Sequence, residues 1–122
     1  MKIPLQVRYR LWFECEGEHV LGGGMIRLLR EVRDQGSLKK AAEQLNMPYR
    51  GAWGRIRRAE ESMGASLLES SRYRQKGVTL TPLALSLLNL FATLDSRCAA
   101  FLRDSLKNSE DDFFEIGQEP HC

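Results

Sequence analysis

The sequence predicts a mainly α-helical domain of the α+β class. Three observations lead to this prediction: an N-terminal segment in which apolar and polar residues alternate, four segments whose apolar residues recur at helical spacing, and glycines or prolines that separate these segments. The chain has 122 residues, of which 43% are hydrophobic and 28% are charged. This length and composition suit one folded domain with a short appendage.

The alternation near the N-terminus predicts a strand with one covered face. Within residues 3–15 the odd positions are apolar, and the even positions are polar apart from Pro4 and Trp12. Residues 16–19 then suit a turn, and residues 20–21 suit a short returning strand. This part of the chain is therefore expected to form a strand or a hairpin.

Three helices are predicted after the glycine run at residues 22–24. The first carries apolar residues within 25–32 and ends at Gly36, a good C-terminal stop. Ser37 suits the N-cap of the second helix. Pro48 cannot continue that helix and suits the first position of the third. The predicted core residues are Leu38, Ala41, Ala42 and Leu45 in the second helix and Ala52, Ile56, Ala59 and Met63 in the third.

The C-terminal half combines a predicted hairpin with a long helix. Two short strands, residues 67–69 and 78–80, flank a polar tip at residues 70–77. A helix of residues 82–106 follows, opened by an N-cap threonine and a first-turn proline. Residues 107–122 are polar and acidic, and we expect them to be a disordered tail.

The segment from Gly36 to Met63 has the layout of a helix-turn-helix, in which the second helix enters the major groove of DNA and the first braces it. At about 100° per residue, Arg50, Gly54 and Arg57 lie opposite the core stripe of the third helix. Arginine suits guanine edges and phosphates, and glycine allows a close approach to bases. Taken alone, the same arginines fit an ordinary solvated helix surface equally well.

The hairpin tip supplies a second DNA-binding signal. It carries three positive charges and no negative one, and it follows the candidate recognition helix, residues 48–63, in the order that a winged helix-turn-helix requires. Trp53 is predicted either to pack at the helix boundary or to lie against sugar and phosphate. The residues predicted to contact DNA are Ser37, Tyr49, Arg50, Trp53, Gly54, Arg57, Arg58, Arg72, Arg74 and Lys76.

The charge distribution favours the same function. The net charge is +2, but residues 108–122 contain five acids and no Lys or Arg, so residues 1–107 carry 18 basic against 11 acidic side chains. A basic body suits a polyanion such as double-stranded DNA.

The long helix is predicted to form a homodimer, because its apolar stripe is wide enough to cover its own domain and still meet a partner helix. An intramolecular cap on the core is the alternative. The predicted dimer residues are Leu87, Phe91, Leu94, Cys98 and Phe101.

Other functional classes find little support. The three cysteines are too few and scattered for a disulfide framework or a zinc site, which suggests a reducing, cytoplasmic setting. Glu14, Glu16, Glu18 and His19 suit a solvated turn better than a metal site. No nucleophile–base pair suggests an enzyme, and we expect no cofactor, signal peptide or membrane span.

Specific motifs resemble two families. Gly36-Ser37-Leu38, Ala41-Ala42, Leu45 and Arg57-Arg58 resemble the helix-turn-helix of LysR-type regulators. Met47-Pro48-Tyr49-Arg50-Gly51-Ala52-Trp53, with Leu80-Thr81-Pro82, is more similar to the DNA-binding domain of ModE-type molybdate-responsive regulators, in the stand-alone form. The resemblance covers roughly residues 5–95.

The resemblance implies a homodimeric winged helix protein that controls transcription in a prokaryote, with Tyr49 and Arg50 at the DNA end of the recognition helix. The sequence departs from the family pattern at two places that bear on the recognised DNA sequence: Pro48 stands where a serine is usual, and residues 72–77 replace the glycine-rich wing. No molybdate-binding domain is expected in this chain.

The predicted organisation is a DNA-binding domain of residues 1–81, a dimerisation helix of residues 82–106 and the tail of residues 107–122. The alternative function is a helix-turn-helix adaptor that contacts proteins and does not bind DNA.

Overall fold

The computed structural model describes residues 5–71 and 77–107, and the backbone of residues 114–118. The elements in chain order are β1 (Leu5–Tyr9), β2 (Phe13–Cys15), β3 (Glu18–Leu21), α1 (Gly23–Gln35), α2 (Leu38–Gln44), α3 (Tyr49–Met63), β4 (Leu68–Ser70), β5 (Val78–Leu80), α4 (Pro82–Lys107) and β6 (Phe114–Gln118). The fold is mainly helical with small strand pairs, which confirms the predicted winged helix-turn-helix.

The single N-terminal strand predicted for residues 3–15 is wrong, since the structure has two strands there. β2 pairs antiparallel with β3 through a tight turn in which Glu16 and Gly17 have φ of 51° and 85°. Positive φ at both central residues is the backbone of a two-residue hairpin turn. Because β3 has only four residues, it offers no partner to the chain before Phe13, and β1 pairs elsewhere.

The partner of β1 lies in the predicted tail, and this corrects our expectation that residues 107–122 are disordered throughout. β6 runs parallel to β1, with Leu5 opposite Phe114 and Tyr9 opposite Gln118. The acidic composition of the tail concealed a short strand-type alternation, Phe114-Glu115-Ile116. The Tyr9 hydroxyl also donates to the backbone oxygen and a carboxylate oxygen of Asp95, at 3.0 and 2.9 Å, which joins β1 to α4.

The core lies between α1, α2, α3 and the first half of α4. α1 buries five apolar side chains, and Leu28, Leu29 and Val32 are completely inaccessible to solvent. Ala41 and Ala52 are also fully buried, and their small side chains let α2 and α3 lie close to one another. Gly36 ends α1 in the left-handed conformation with φ of 67°, as its position in the sequence predicts.

One predicted dimer residue belongs to this core instead. Phe91 is 2% exposed and meets Phe13 edge to face, with ring centroids 5.9 Å apart. Ala84, Leu88 and Phe91 follow one another at spacings of four and three, which places all three on the inner face of α4. Phe91 therefore stabilises the protomer and is not available to a partner helix.

By length and composition α4 is also apolar enough to cross a membrane, with a mean hydropathy of 1.2. Its inner face, however, packs into the core of the domain at Ala84, Leu88 and Phe91. We therefore interpret α4 as a helix of the folded domain.

Candidate nucleic-acid interface

α2 and α3 are joined by a short turn whose backbone is held by local hydrogen bonds. Ser37 caps α2, and its Oγ accepts from the N–H of Lys40 at 3.2 Å. Asn46 takes a left-handed φ of 53°, which allows the N–H of Met47 to donate to the carbonyl of Ala42 at 2.8 Å. The sequence predicts Pro48 as the first residue of α3. In the structure Pro48 is instead the N-cap, and Tyr49 is the first helical residue.

α3 has one face in the core and one in solvent. Ala52 and Ile56 are fully buried and Ala59 is 4% exposed, as the predicted core stripe requires. On the opposite side the side chains of Arg50, Arg57 and Arg58 are exposed, and they form no ion pair or hydrogen bond with any described residue. Residues 49–59 contain four arginines and no acid. This side of α3 is therefore a cationic surface whose donors can bind an external anion.

Gly54 leaves a gap in the exposed side of α3. A Cβ built at this position meets no atom within 4 Å, so packing within the protomer does not require a glycine there. Its φ does not fall in the left-handed region either. Inside a helix, glycine lowers the free energy of unfolding by about 1 kcal/mol relative to alanine. Gly54 therefore destabilises the domain, and no contact within the protomer requires it.

Tyr49 and Trp53 form a pair along the first turns of α3. The Trp53 Nε1–H donates to the Tyr49 hydroxyl, and the rings meet edge to face with centroids 6.4 Å apart. Trp53 is half-buried against the core, in line with the packing alternative, whereas Tyr49 is 47% exposed. The Tyr49 hydroxyl keeps its own proton for an external acceptor.

The predicted wing is a hairpin at its base. β4 and β5 are antiparallel, with Leu68 opposite Leu80 and Ser70 opposite Val78. The N–H of Ser71 donates to the carbonyl of Gly77 at 3.0 Å, which is the last described hydrogen bond before the tip. Arg72, Arg74 and Lys76, which the sequence predicts to contact DNA, lie outside the described residues.

Glu60 and Thr81 hold the base of the wing from two sides. A carboxylate oxygen of Glu60, on α3, accepts from the N–H groups of Leu67 and Leu68 at 2.8 and 3.4 Å. Thr81 caps α4 by accepting from the N–H of Ala84 at 3.2 Å, and its hydroxyl donates to the carbonyl of Ser66 at 2.8 Å. These hydrogen bonds connect the base of the wing to α3 and to the start of α4. Sequence reasoning found the cap but missed Glu60, because no periodicity marks a long-range acceptor.

α4 presents a separate apolar stripe to solvent. Leu83, Leu90 and Phe101 are 40%, 48% and 70% exposed, and Leu87 and Leu94 are partly buried. The spacing of these five residues is four, three, four and seven, as in a two-helix seam. Of the predicted dimer residues, Leu87, Leu94 and Phe101 lie on this stripe, and Cys98 lies at its edge.

Residues 5–71 and 77–107 contain no group of three His, Cys, Asp or Glu side chains placed to hold a metal ion. Cys15 and Cys98 are free and partly buried. The exposed side of α3 thus offers cationic and hydrogen-bonding groups to an extended anion.

The helical part of the chain matches a known protein family. The family described as "Bacterial regulatory helix-turn-helix protein, lysR family" matches residues 24–85, from α1 to the start of α4. No curated protein matches the chain.

Solved structures with a similar fold include DNA complexes. The BenM DBD in its complex with benA site 1 DNA is 24% identical, with a TM-score of 0.51, and the match covers 64% of this chain and 92% of that one. The BenM DBD with catB site 1 DNA is 22% identical, with a TM-score of 0.51 and coverages of 70% and 93%. ArgP from Mycobacterium tuberculosis is 21% identical, with a TM-score of 0.50; the match covers 82% of this chain and 44% of ArgP. The chain thus shares the fold of these proteins and spans less than half the length of ArgP.

The role of Glu60 leads to a first prediction. Glu60→Ala leaves the N–H groups of Leu67 and Leu68 without their acceptor, so we expect the free energy of unfolding to fall by about 1–3 kcal/mol. Hydrogen exchange at these two amides should accelerate. The matched control is Glu61→Ala, an exposed neighbour with no described partner, which should change stability by less than about 0.5 kcal/mol. Equal effects of the two substitutions in denaturant unfolding would contradict the assignment.

Proposed function

The chain belongs to the lysR family of bacterial regulatory helix-turn-helix proteins, and from this membership we propose that it is a transcriptional regulator that binds double-stranded DNA sequence-specifically as a homodimer. The family is one of DNA-binding regulators rather than of enzymes. The observation that carries the proposal is the solvent-facing side of α3, where Arg50, Arg57 and Arg58 have no protein partner among the described residues.

In the proposed complex α3 lies in the major groove. Its exposed N-terminal turns bring Arg50 and Gly54 to the base edges, where arginine can pair with guanine through two hydrogen bonds. Arg57, Arg58 and the Tyr49 hydroxyl bind phosphates, and they fix the register of the helix. Ser37 at the start of α2 and the half-buried edge of Trp53 border the same groove.

The wing adds contacts outside the major groove. We assign Arg72, Arg74 and Lys76 to the DNA backbone or the minor groove, which a basic hairpin tip beside a recognition helix can reach. The hydrogen bonds of Glu60 and Thr81 support this assignment, because Glu60 ties the base of the wing to α3 and Thr81 ties Ser66 to the start of α4.

The finer identity that we propose is a stand-alone ModE-type regulator within this broader family. It rests on the run from Met47 to Trp53, in which Tyr49 and Trp53 are bonded to each other at the start of α3. We further propose that the protein acts in the cytoplasm, that residues 1–81 form its DNA-binding unit, and that no metal or organic cofactor takes part.

The exposed stripe of α4 is the proposed dimer interface. A second copy of α4 would cover Leu83, Leu87, Leu90, Leu94 and Phe101, which the protomer leaves in contact with water. Two-fold dimers read two half-sites about one helical turn apart, so a dimer suits major-groove recognition by two copies of α3. Residues 82–106 are in this proposal the dimerisation helix, without Phe91.

Titration of duplex DNA tests the function. Affinity for a preferred sequence should fall steeply with salt, and Arg50→Ala should lower it by about 1–3 kcal/mol and relax the preference. Arg103→Ala, which removes an exposed charge from α4, is the control and should leave the preference unchanged. If the folded protein shows no retention on DNA even at low salt and captures a protein instead, the adaptor function replaces this one.

Gly54→Ala separates binding from stability. The substitution should raise the free energy of unfolding by about 1 kcal/mol, because the site is open and alanine favours the helix. It should also weaken DNA binding, because the added methyl group stands between α3 and the base edges. Opposite changes in thermal unfolding and in DNA affinity are the expected outcome. An unchanged or higher affinity would remove this position from the DNA-facing surface.

A charge on the α4 stripe tests the dimer. We expect wild-type protein at micromolar concentration to sediment at about twice the 13.9 kDa chain mass and Leu90→Glu to sediment as a monomer. Leu85→Glu is the control, because Leu85 is 41% exposed but lies on another side of α4, and it should remain dimeric. A monomeric wild type, or equal behaviour of the two variants, would refute the interface.

A further inference from the structure

A cleft lies between the second half of α3, β3 and the start of α1, beside Ala59 of the core stripe. Its volume is about 430 Å³, and its walls come from β3, the start of α1, the second half of α3 and the segment between β1 and β2. This volume is within the range of small-molecule sites in proteins. None of the functions assigned above uses the cleft as a whole.

The cleft is lined by three arginines and two glutamates, which form no ion pair with one another. Arg10, Arg55 and Arg58 line it from two different elements, together with the imidazole of His19. Glu18 and Glu61 also line it, yet no ion pair forms between these acids and the arginines within the described residues. Three exposed arginine side chains therefore line one space, and none of them forms an ion pair with a described carboxylate.

The floor of the cleft adds backbone donors. α1 has 13 residues and starts at Gly23, its N-cap Gly22 supplies no side-chain acceptor, and its first turn contains no acid. The first N–H to find a partner inside the helix is that of Ile26, which donates to the carbonyl of Gly22 at 3.0 Å. The preceding N–H groups in α1, those of residues 23–25, have no helical acceptor and carry the positive end of the helix dipole.

We propose that this cleft binds a phosphate-class oxyanion, either free phosphate or the phosphate group of a small metabolite. The arginines supply charge-assisted hydrogen bonds from the walls, and the first turn of α1 supplies N–H groups from the floor, as anion sites at helix starts do. The cleft is larger than one phosphate, so a phosphomonoester fills it better than the free ion. The cleft lies within one protomer and shares Arg58 with the proposed DNA-facing surface, so its ligand is tested without DNA.

The stacking of His19 on Trp12 offers a direct readout. The two rings are 6.0 Å apart and nearly parallel, so an anion that binds beside His19 changes the surroundings of Trp12. In Trp53→Phe protein, Trp12 is the sole tryptophan of the chain. Its fluorescence should change saturably on titration with sodium phosphate or glycerol phosphate, at ionic strength held constant with sodium chloride and without DNA.

Matched variants locate the binding. Arg10→Gln and Arg55→Gln should each weaken phosphate binding by about tenfold, while Arg103→Gln, on α4, should leave it unchanged. Amide resonances of residues 23–25 should shift during the titration. The dispersion of the same amide spectra shows whether each variant is folded. If glycerol phosphate binds more tightly than sodium phosphate, the ligand is the phosphate group of a metabolite. If the two probes bind with equal affinity, the ligand is free phosphate.

Three results would overturn the proposal: no saturable signal with either probe, an affinity unchanged from the wild type in the Arg10 and Arg55 variants, or resonance shifts confined to the Arg50–Arg57 side of α3. Since none of these measurements contains DNA, they leave the proposed regulatory function to be judged on its own titrations.

Discussion

The position of α3 depends on the burial of Ala52, Ile56 and Ala59 against α1 and α2. These side chains are fully or almost fully inaccessible to solvent, and the small residues among them, with Ala41 on α2, keep the helices close. Interiors packed in this way tolerate little change in volume. As a result, α3 has one permitted rotation about its axis, and that rotation sets Arg50, Arg57 and Arg58 in solvent. The cationic surface is thus a consequence of packing on the opposite side of the same helix.

The wing and α4 are joined to α3 by hydrogen bonds in addition to the apolar core, to which the base of the wing contributes Leu67 and Leu80. Glu60 accepts from the first residues of the wing, and Thr81 joins the same segment to the start of α4. The hydrogen bonds of Glu60 and Thr81 therefore connect α3, the base of the wing and the start of α4, the proposed dimerisation helix. Arg58 lies at the border between the proposed DNA-facing surface and the cleft beside α1, so the two binding surfaces are contiguous on α3.

Much of the helical domain could be predicted because local rules decide it. Ser37 caps α2 and Gly36 ends α1 as expected, since each needs only neighbouring backbone groups. The buried stripe of α3 follows from periodicity in the same way. The assignment of Phe91 failed for a physical reason: the apolar stripe of α4 is wide, and periodicity cannot divide it between the protomer and a partner. The residues that pack around α4 decide which of its apolar side chains are buried in the protomer, and Phe91 is buried against Phe13.

The sequence by itself determined the order of the helices, their caps and the inward side of α3, because these depend on contacts between residues a few positions apart. Only the tertiary structure decided which strand pairs with β1, which acceptor holds the wing and which charges meet around the cleft. Those arrangements join residues distant in the chain, such as Tyr9 with Asp95, and their free energy comes from contacts that no local pattern records.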